Sequence, residues 1–212
     1  MTALTVCADA EAAALHLARA VHERGARHLA LSGGTTPLRA YALLADMGVA
    51  EDSEVWLVDE RCVPSDHEDS NGRMIRAAMG PGVRLREARG ELGPEDAAWM
   101  YGRDVAAMGG VFDVVVLGLG EDGHTASLFP GHPEAFAEHA PVIGVRGSPK
   151  PPPERITLTL PVIARARYTV LLATGEGKRE ALARVCARDA ELPISRLGDA
   201  LDEIVCDEAA AG

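Results

Sequence analysis

Short hydrophobic runs alternate with longer stretches of helical character along this chain. The runs at residues 4–7, 28–31, 55–58 and 168–173 have the length and composition of strands, and a further strand begins near Val111. The intervening stretches predict helices at residues 11–24, 37–47, 71–79, 94–108 and 178–188. Because strands and helices alternate, we predict an α/β fold: a doubly wound, mostly parallel, Rossmann-like sheet with helices on both faces.

Length and composition predict a single domain over residues 1–212. The chain has 212 residues, of which 47% are hydrophobic, so it can bury one sizeable core, and no shift in composition divides it. The proline-rich segment at residues 148–153, SPKPPP, favours an extended and stiff loop. The last residues, DEAAAG, are expected to fray.

Charge and aromatic content argue against a nucleic-acid partner. The formal net charge is −11 and only 4% of the residues are aromatic, so the chain lacks both the basic field and the stacking side chains that such binding uses. A small phosphorylated ligand is compatible with this composition, because a few converging cations and backbone amides can hold one phosphate.

The remaining composition predicts a cytoplasmic protein with no membrane association. The four cysteines show no CxxC spacing and are expected to be reduced thiols. No apolar run approaches the roughly 18 residues of a membrane span. The first residues carry early acidic side chains and show no leader pattern.

A strand and a glycine-rich turn at residues 111–131, VFDVVVLGLGEDGHTASLFPG, contain the strongest candidates for chemistry. The turn carries Glu121, Asp122 and His124 at the carboxyl end of the strand, where open α/β sheets bind ligands. His124 is therefore a candidate acid–base residue. Three glycines of the turn spell GxGxxG, but a dinucleotide-binding turn would open a long helix, and here two carboxylates and Pro130 interrupt the pattern.

Two other strand ends carry groups suited to an anion. Residues 32–37, SGGTTP, lie between a strand and a helix, so the amides of Gly33, Gly34 and Thr35 can point at a phosphate or sugar. The sequence GEGK also follows a strand, which makes Lys178 either a phosphate ligand or a solvated lysine. It is not a nucleotide P-loop, since the additional glycine and the Ser or Thr of that motif are missing.

The third strand is followed directly by Asp59, Glu60 and Arg61. The planar guanidinium of Arg61 can bind a phosphate with two parallel hydrogen bonds, so Arg61 is a candidate clamp. The alternative is an internal salt bridge from Arg61 to Asp59 or Glu60 that only orders the loop. The histidines lack a HExxH pattern, so we predict no metal site.

Together these motifs resemble the 6-phosphogluconolactonases, hydrolases of the oxidative pentose phosphate pathway. The motifs occur in that family's order and cover most of the chain: LSGGTTP at Leu31, VDERCVP at Val58, DSN at Asp69, GLGEDGHTASLFPG at Gly118, RITLTLP at Arg155 and GEGK at Gly175. GEDGHTASLFP is the most specific of them.

The resemblance implies hydrolysis of 6-phospho-D-glucono-1,5-lactone, a sugar-phosphate lactone, to 6-phosphogluconate, without a metal or an organic cofactor. His124 would be the general base, with Asp122 or Glu121 orienting its imidazole and Asp59 assisting. The residues implied for the substrate and phosphate pocket are Gly33, Gly34, Thr35, Arg61, Arg155 and Lys178. Functional coupling to glucose-6-phosphate dehydrogenase, the upstream enzyme, is a further expectation.

Two alternatives are left open by the sequence. Glucosamine-6-phosphate deaminases have a similar GGTP loop and DGH turn, but their turn is followed by a segment containing Asn-Glu-Pro, where this chain has Ser127, Leu128, Phe129 and Pro130. A sugar-phosphate-binding regulator without catalysis would keep the pocket, although no DNA-reading segment is present to support it.

Overall fold

Ten strands and eight α-helices make up the computed structural model, which describes all residues from 1 to 212. The strands are β1 (Ala3–Cys7), β2 (His28–Leu31), β3 (Glu54–Leu57), β4 (Asp59–Arg61), β5 (Arg84–Leu85), β6 (Val114–Gly118), β7 (Val142–Val145), β8 (Arg155–Leu158), β9 (Thr169–Ala173) and β10 (Glu203–Asp207). The helices are α1 (Ala10–His22), α2 (Leu38–Asp46), α3 (Val49–Asp52), α4 (Asn71–Met79), α5 (Pro94–Ala107), α6 (Leu160–Ile163), α7 (Arg179–Cys186) and α8 (Glu208–Ala211). None of these helices is long and apolar enough to cross a membrane.

Seven strands form one fully parallel sheet in the order β1-β10-β9-β6-β2-β3-β5. From β2 the chain moves outward through β3 and β5, whereas from β6 it moves the other way through β9 and β10. The strand order therefore reverses between β2 and β6, and loops at such a reversal leave a crevice at the carboxyl edge. The predicted α/β fold with a mostly parallel sheet is confirmed.

The centre of the sheet is covered on both faces. Val114, Val115 and Val116 of β6 are fully buried, as a continuous β-branched run predicts for a parallel strand. Three of the eight aromatic residues pack together in the core, where the ring of Trp56 lies 5.7 Å from that of Tyr101 and 5.9 Å from that of Phe112. The resulting core is mainly aliphatic and fixes the strand ends that carry the polar loops.

A second, three-stranded antiparallel sheet, in the order β4-β8-β7, lies beyond the end of β3. The hydrophobic pattern did not predict it, because β4 consists of three charged residues separated from β3 by Val58 alone. In the register of β4 and β8, Arg61 pairs with Arg155 and Asp59 pairs with Thr157. This small sheet thereby brings two distant charged segments to the edge of the large one.

The end of the chain differs from the sequence-based expectation. Residues 203–207 form β10, an internal strand that we did not predict, since only its three central residues are apolar. The expectation that DEAAAG frays was wrong: Asp207 accepts a hydrogen bond from the amide of Ala210 and caps α8, in which Ala210 is buried. The side-chain cap, the buried alanine and hydrogen bonds from the guanidinium of Arg179 to the carbonyl of Ala209 hold this short helix in place.

Candidate functional site

Loops that follow β2, β4, β6 and β9 meet at the carboxyl edge and enclose a polar cleft of about 230 Å³. The cleft lies where the strand order reverses. Eight of the predicted site residues line it: Gly33, Gly34, Thr35, Asp59, Arg61, His124, Arg155 and Lys178. A larger groove, of about 630 Å³, lies beside His28 and Arg84 at the opposite edge, and none of the predicted site residues line it.

The imidazole of His124 is held on two sides. Only 18% of the side chain is exposed, and its ring lies 4.7 Å from the ring of Phe129. Its Nδ1 is 2.5 Å from Oδ1 of Asp122. Since an ionised carboxylate only accepts hydrogen bonds, Nδ1 is the donor, and Nε2 of the neutral ring is then free to accept a proton.

The surroundings keep this imidazole neutral and its partner ionised. Burial lowers the pKa of His124 below its ordinary value of 6.5, and the charge of Lys150 lowers it too, against the raising effect of Asp122. Burial by itself would raise the pKa of Asp122, but the hydrogen bonds and charge of His124, with the charge of Lys150, leave it below its ordinary value. At neutral pH the pair is therefore a carboxylate and an unprotonated base.

The turn has no room for a side chain at Gly120. A β-carbon there would come within 2.0 Å of Nδ1 of His124, and the Gly120 amide donates a 2.8 Å hydrogen bond to the carbonyl of His124. Gly120, the middle glycine of the GxGxxG spacing, thus lets the turn close tightly around the imidazole. No α-helix opens after this turn, in agreement with our rejection of a dinucleotide site.

The structure distinguishes the two carboxylates of the turn. Glu121 is exposed, its carboxylate lies beside Gly177, and it forms no hydrogen bond with His124. Asp122 is therefore the carboxylate of this turn that can orient the imidazole.

Nowhere in the chain do three or more His, Cys, Asp or Glu side chains converge as metal ligands.

Asp59 connects the β4 segment with the histidine turn. It is 6% exposed, and its Oδ2 accepts a 2.6 Å hydrogen bond from the hydroxyl of Ser127, three residues after His124. Its Oδ1 accepts a 3.3 Å hydrogen bond from the side-chain amide of Asn71. Asp59 lines the cleft, and its charge raises the pKa of His124, so it acts on the base electrostatically.

Glu60 has a structural role that the sequence did not reveal. Its carboxylate accepts hydrogen bonds from the amides of Arg61, Asn71 and Gly72 and from the hydroxyl of Ser70. Burial raises the pKa of Glu60, whereas these four donors oppose that effect. The carboxylate anchors the first turn of α4 beside the cleft, where a negative charge also suits the helix dipole.

Arg61 and Lys178 supply positive charge to the cleft. Nη1 of Arg61 donates a 2.6 Å hydrogen bond to the carbonyl of Asp69, and Arg61 forms no salt bridge with Asp59 or Glu60. The alternative of an internal salt bridge is therefore not what the structure shows. Lys178 lies in the 3₁₀ turn Glu176–Lys178 before α7 and lines the cleft opposite the glycine loop.

Arg155 lines the cleft, but its hydrogen bonds go elsewhere. Its guanidinium donates to three carbonyls of the proline-rich loop, those of Pro152 at 3.1 Å, Lys150 at 2.9 Å and Pro151 at 3.1 Å. Its Nη1 also donates a 3.5 Å hydrogen bond to the hydroxyl of Ser127. These contacts give Arg155 a structural role, and its predicted contact with a phosphate in the cleft that it lines stays a prediction. Lys150, in the same loop, lines the cleft and was missed, because a loop rich in proline was interpreted only as a connection.

Comparison with known proteins identifies the family to which this chain is similar. A family model described as glucosamine-6-phosphate isomerases/6-phosphogluconolactonase matches residues 3–206. The 6-phosphogluconolactonase of Synechocystis sp. is 39% identical over 82% of this chain and 78% of that protein. The human GDH/6PGL endoplasmic bifunctional protein is 37% identical over 81% of this chain and 23% of the human protein.

A solved structure extends the similarity to the whole fold. The 6-phosphogluconolactonase from Trypanosoma cruzi matches with a TM-score of 0.89 and 27% sequence identity, covering 100% of this chain and 96% of that one. The chain therefore belongs to the glucosamine-6-phosphate isomerase/6-phosphogluconolactonase family. Its resemblance to the 6-phosphogluconolactonases within that family is confirmed.

Proposed function

We propose that this chain hydrolyses 6-phospho-D-glucono-1,5-lactone to 6-phosphogluconate in the oxidative pentose phosphate pathway, with His124 as the general base. The observation that carries the proposal is the pairing of a largely buried, neutral imidazole with Asp122 in a cleft that also contains Arg61 and Lys178. The names of the Synechocystis and Trypanosoma cruzi relatives support this substrate.

The chemistry requires one base and one water molecule. Nε2 of His124 accepts a proton from water while the water oxygen attacks the carbonyl carbon of the lactone. The tetrahedral intermediate then collapses, the bond between that carbon and the ring oxygen breaks, and the imidazolium returns its proton to the ring oxygen. The carboxylic acid product ionises at neutral pH and releases one proton, so proton release measures turnover.

Asp122 and Asp59 would support the base in different ways. Asp122 fixes the ring and its tautomer through Nδ1 and stabilises the imidazolium that forms. Asp59 is held by Ser127 and Asn71 and adds negative charge near the same ring. The charge that develops on His124 is therefore matched by carboxylates that are already in place.

The phosphate would lie among the cations and the glycine loop. Arg61 and Lys178 provide positive charge, and Gly33, Gly34 and Thr35 provide backbone amides that line the same cleft. A phosphate held there would position the lactone ring toward His124. Binding energy from the remote phosphate would in this way orient the reacting carbonyl.

The structure favours neither alternative function. Leu128 and Phe129 are buried where the deaminases would carry an acidic residue, and Phe129 packs against the imidazole. A regulator without catalysis has no need for the aligned His124 and Asp122.

Metal independence, a cytoplasmic location and coupling to a dehydrogenase stay predictions. The name of the human bifunctional relative supports the coupling.

The decisive experiment is a pH-stat assay with freshly generated 6-phosphogluconolactone, corrected for spontaneous hydrolysis. We expect proton release well above the blank, and no ammonia release from glucosamine 6-phosphate. Proton release no faster than the blank would remove the proposal. Ammonia release would assign the chain to the deaminases instead.

A further inference from the structure

The chain contains only two lysines, Lys150 and Lys178, and both line the cleft. Every other basic side chain apart from histidine is an arginine. Nζ of Lys150 lies 3.4 Å from Oδ2 of Asp122, whose Oδ1 is hydrogen-bonded to His124. A compact ammonium group thus contacts the free oxygen of the carboxylate that orients the imidazole.

Arg155 holds the backbone from which Lys150 projects. The residue is 3% exposed and donates to the carbonyls of Lys150, Pro151 and Pro152. The hydroxyl of Ser148 donates to the Lys150 carbonyl at 2.9 Å and accepts from the Lys150 amide at 3.2 Å. One buried cation and one hydroxyl therefore hold the backbone of Lys150, and the amide of Ser148 closes the loop with a 2.9 Å hydrogen bond to the carbonyl of Pro153.

We propose that Lys150 and Arg155 are positioning residues for the catalytic base: Arg155 fixes the proline-rich loop, and Lys150 in turn fixes Asp122 against His124. This inference rests on the proposed lactone hydrolysis. It gives the proline-rich loop a role in the reaction, and it assigns Arg155 to holding that loop. The guanidinium of Arg155 also lies 5.7 Å from the ring of Phe129, which packs against the imidazole from the other side.

The charges around the imidazole define the expected direction of a pH effect. Asp122 from the turn and Asp59 from β4 raise the pKa of His124, and Lys150 from the loop lowers it. Arg61 and Lys178 line the same cleft, and Phe129 covers the ring. Lys150 contacts Oδ2 of Asp122, so its replacement leaves the hydrogen bond from Nδ1 of His124 to Oδ1 in place. Loss of the Lys150 charge therefore favours the protonated imidazole and moves the acid limb of activity to higher pH.

Two readouts test this chain of contacts. We would measure kcat/KM from about pH 5 to about pH 8, and titrate the His124 imidazole by NMR without substrate, assigning its signal by its absence in H124Q. In K150Q, the midpoint of the acid limb and the midpoint of the imidazole titration should both move upward by roughly half a pH unit. We also expect a several-fold loss of kcat. In R155M they should move in the same direction, because the freed loop lets Lys150 leave Asp122.

Matched variants separate charge and position from general structural damage. K150R keeps the charge and should leave the two midpoints close to their wild-type positions. R146M removes an exposed arginine that pairs with Glu95 and Glu154 beside the loop, and should leave both midpoints in place. Since Arg155 acts through Lys150, the double variant K150Q/R155M should shift little further than K150Q. If R155M does not fold, S148A removes the other group that holds Lys150.

Several results would overturn the proposal. Unmoved midpoints in K150Q would overturn it. So would a double variant in which the shift caused by R155M adds in full to the shift caused by K150Q. The same holds for S148A where it replaces R155M. A rise in KM with unmoved midpoints would make Lys150 a substrate ligand instead. Failure of the wild type to exceed spontaneous hydrolysis would refute the proposed function. The NMR titration needs no turnover, so it would still test whether Lys150 acts on the Asp122–His124 pair.

Discussion

The side chain of Asn71 lies directly against the backbone of Gly33, so that a β-carbon at position 33 would come within 1.9 Å of Oδ1 of Asn71. Asn71 is 1% exposed and its amide nitrogen donates a 2.8 Å hydrogen bond to the carbonyl of Asp59. The glycine loop, the start of α4 and the β4 segment are therefore in contact at one point beneath the cleft.

This contact predicts that Gly33→Ala impairs both stability and activity. The methyl group must displace the buried side-chain amide of Asn71 from its hydrogen bond to Asp59, at a cost of about 1–3 kcal/mol, typical of overpacking. Urea unfolding would measure the loss and the lactone assay would measure the activity. Gly82→Ala is the control, because a β-carbon there meets no atom closer than 3.8 Å. A fully stable and active G33A would contradict the geometry.

His124→Gln should remove most of the activity and leave the fold intact. General-base catalysis typically contributes about 10²–10⁴-fold, so we expect kcat to fall within that range, and the acid limb of the pH profile to disappear with it. The pH-stat assay and a circular dichroism spectrum would check both parts. His139→Gln, an exposed histidine outside the cleft, should behave as wild type.

Asp122→Asn should lower kcat and move the acid limb to lower pH. The Asp122 carboxylate stabilises the protonated imidazole, so its loss lowers the pKa of His124 below its already depressed value. We expect kcat to fall by roughly 10²-fold, because the weaker base is also less firmly oriented. A profile of kcat/KM against pH tests the direction.

Glu121→Gln is the matched control for that variant, since it neutralises the adjacent carboxylate, which does not contact the imidazole. Its acid limb should stay at the wild-type position. A shift in E121Q equal to that in D122N would mean that the turn rearranges in solution.

Lys178→Met should weaken binding of the phosphorylated lactone more than it slows the chemical step. Loss of one charge-assisted contact costs about 1.5–3 kcal/mol, which corresponds to a rise in KM of roughly ten- to a hundredfold. The assay compares 6-phosphogluconolactone with unphosphorylated gluconolactone. Arg179→Met removes the next cation along the chain, which does not line the cleft, and should leave KM unchanged. Undiminished preference for the phosphorylated substrate in K178M would refute the phosphate assignment.

Much of the fold followed from the one-dimensional pattern. The alternation of strands and helices predicted a parallel sheet because each helix must return the chain across one face. The same logic placed the glycine loop, Arg61, His124 and Lys178 together, since the carboxyl ends of parallel strands share one edge. These conclusions needed only the order of the elements and the chemistry of the residues that follow them.

The tertiary structure alone decided which neighbours contact the imidazole of His124. Glu121 and Asp122 are adjacent in sequence, yet the turn sends one toward Gly177 and the other to Nδ1 of His124. Likewise, the hydrogen bonds of Arg155 and the approach of Lys150 to Asp122 depend on how a loop folds over the small antiparallel sheet. Local pattern specifies which elements form and where they end, whereas side-chain direction in loops is set by long-range packing, which leaves no periodic trace in the sequence.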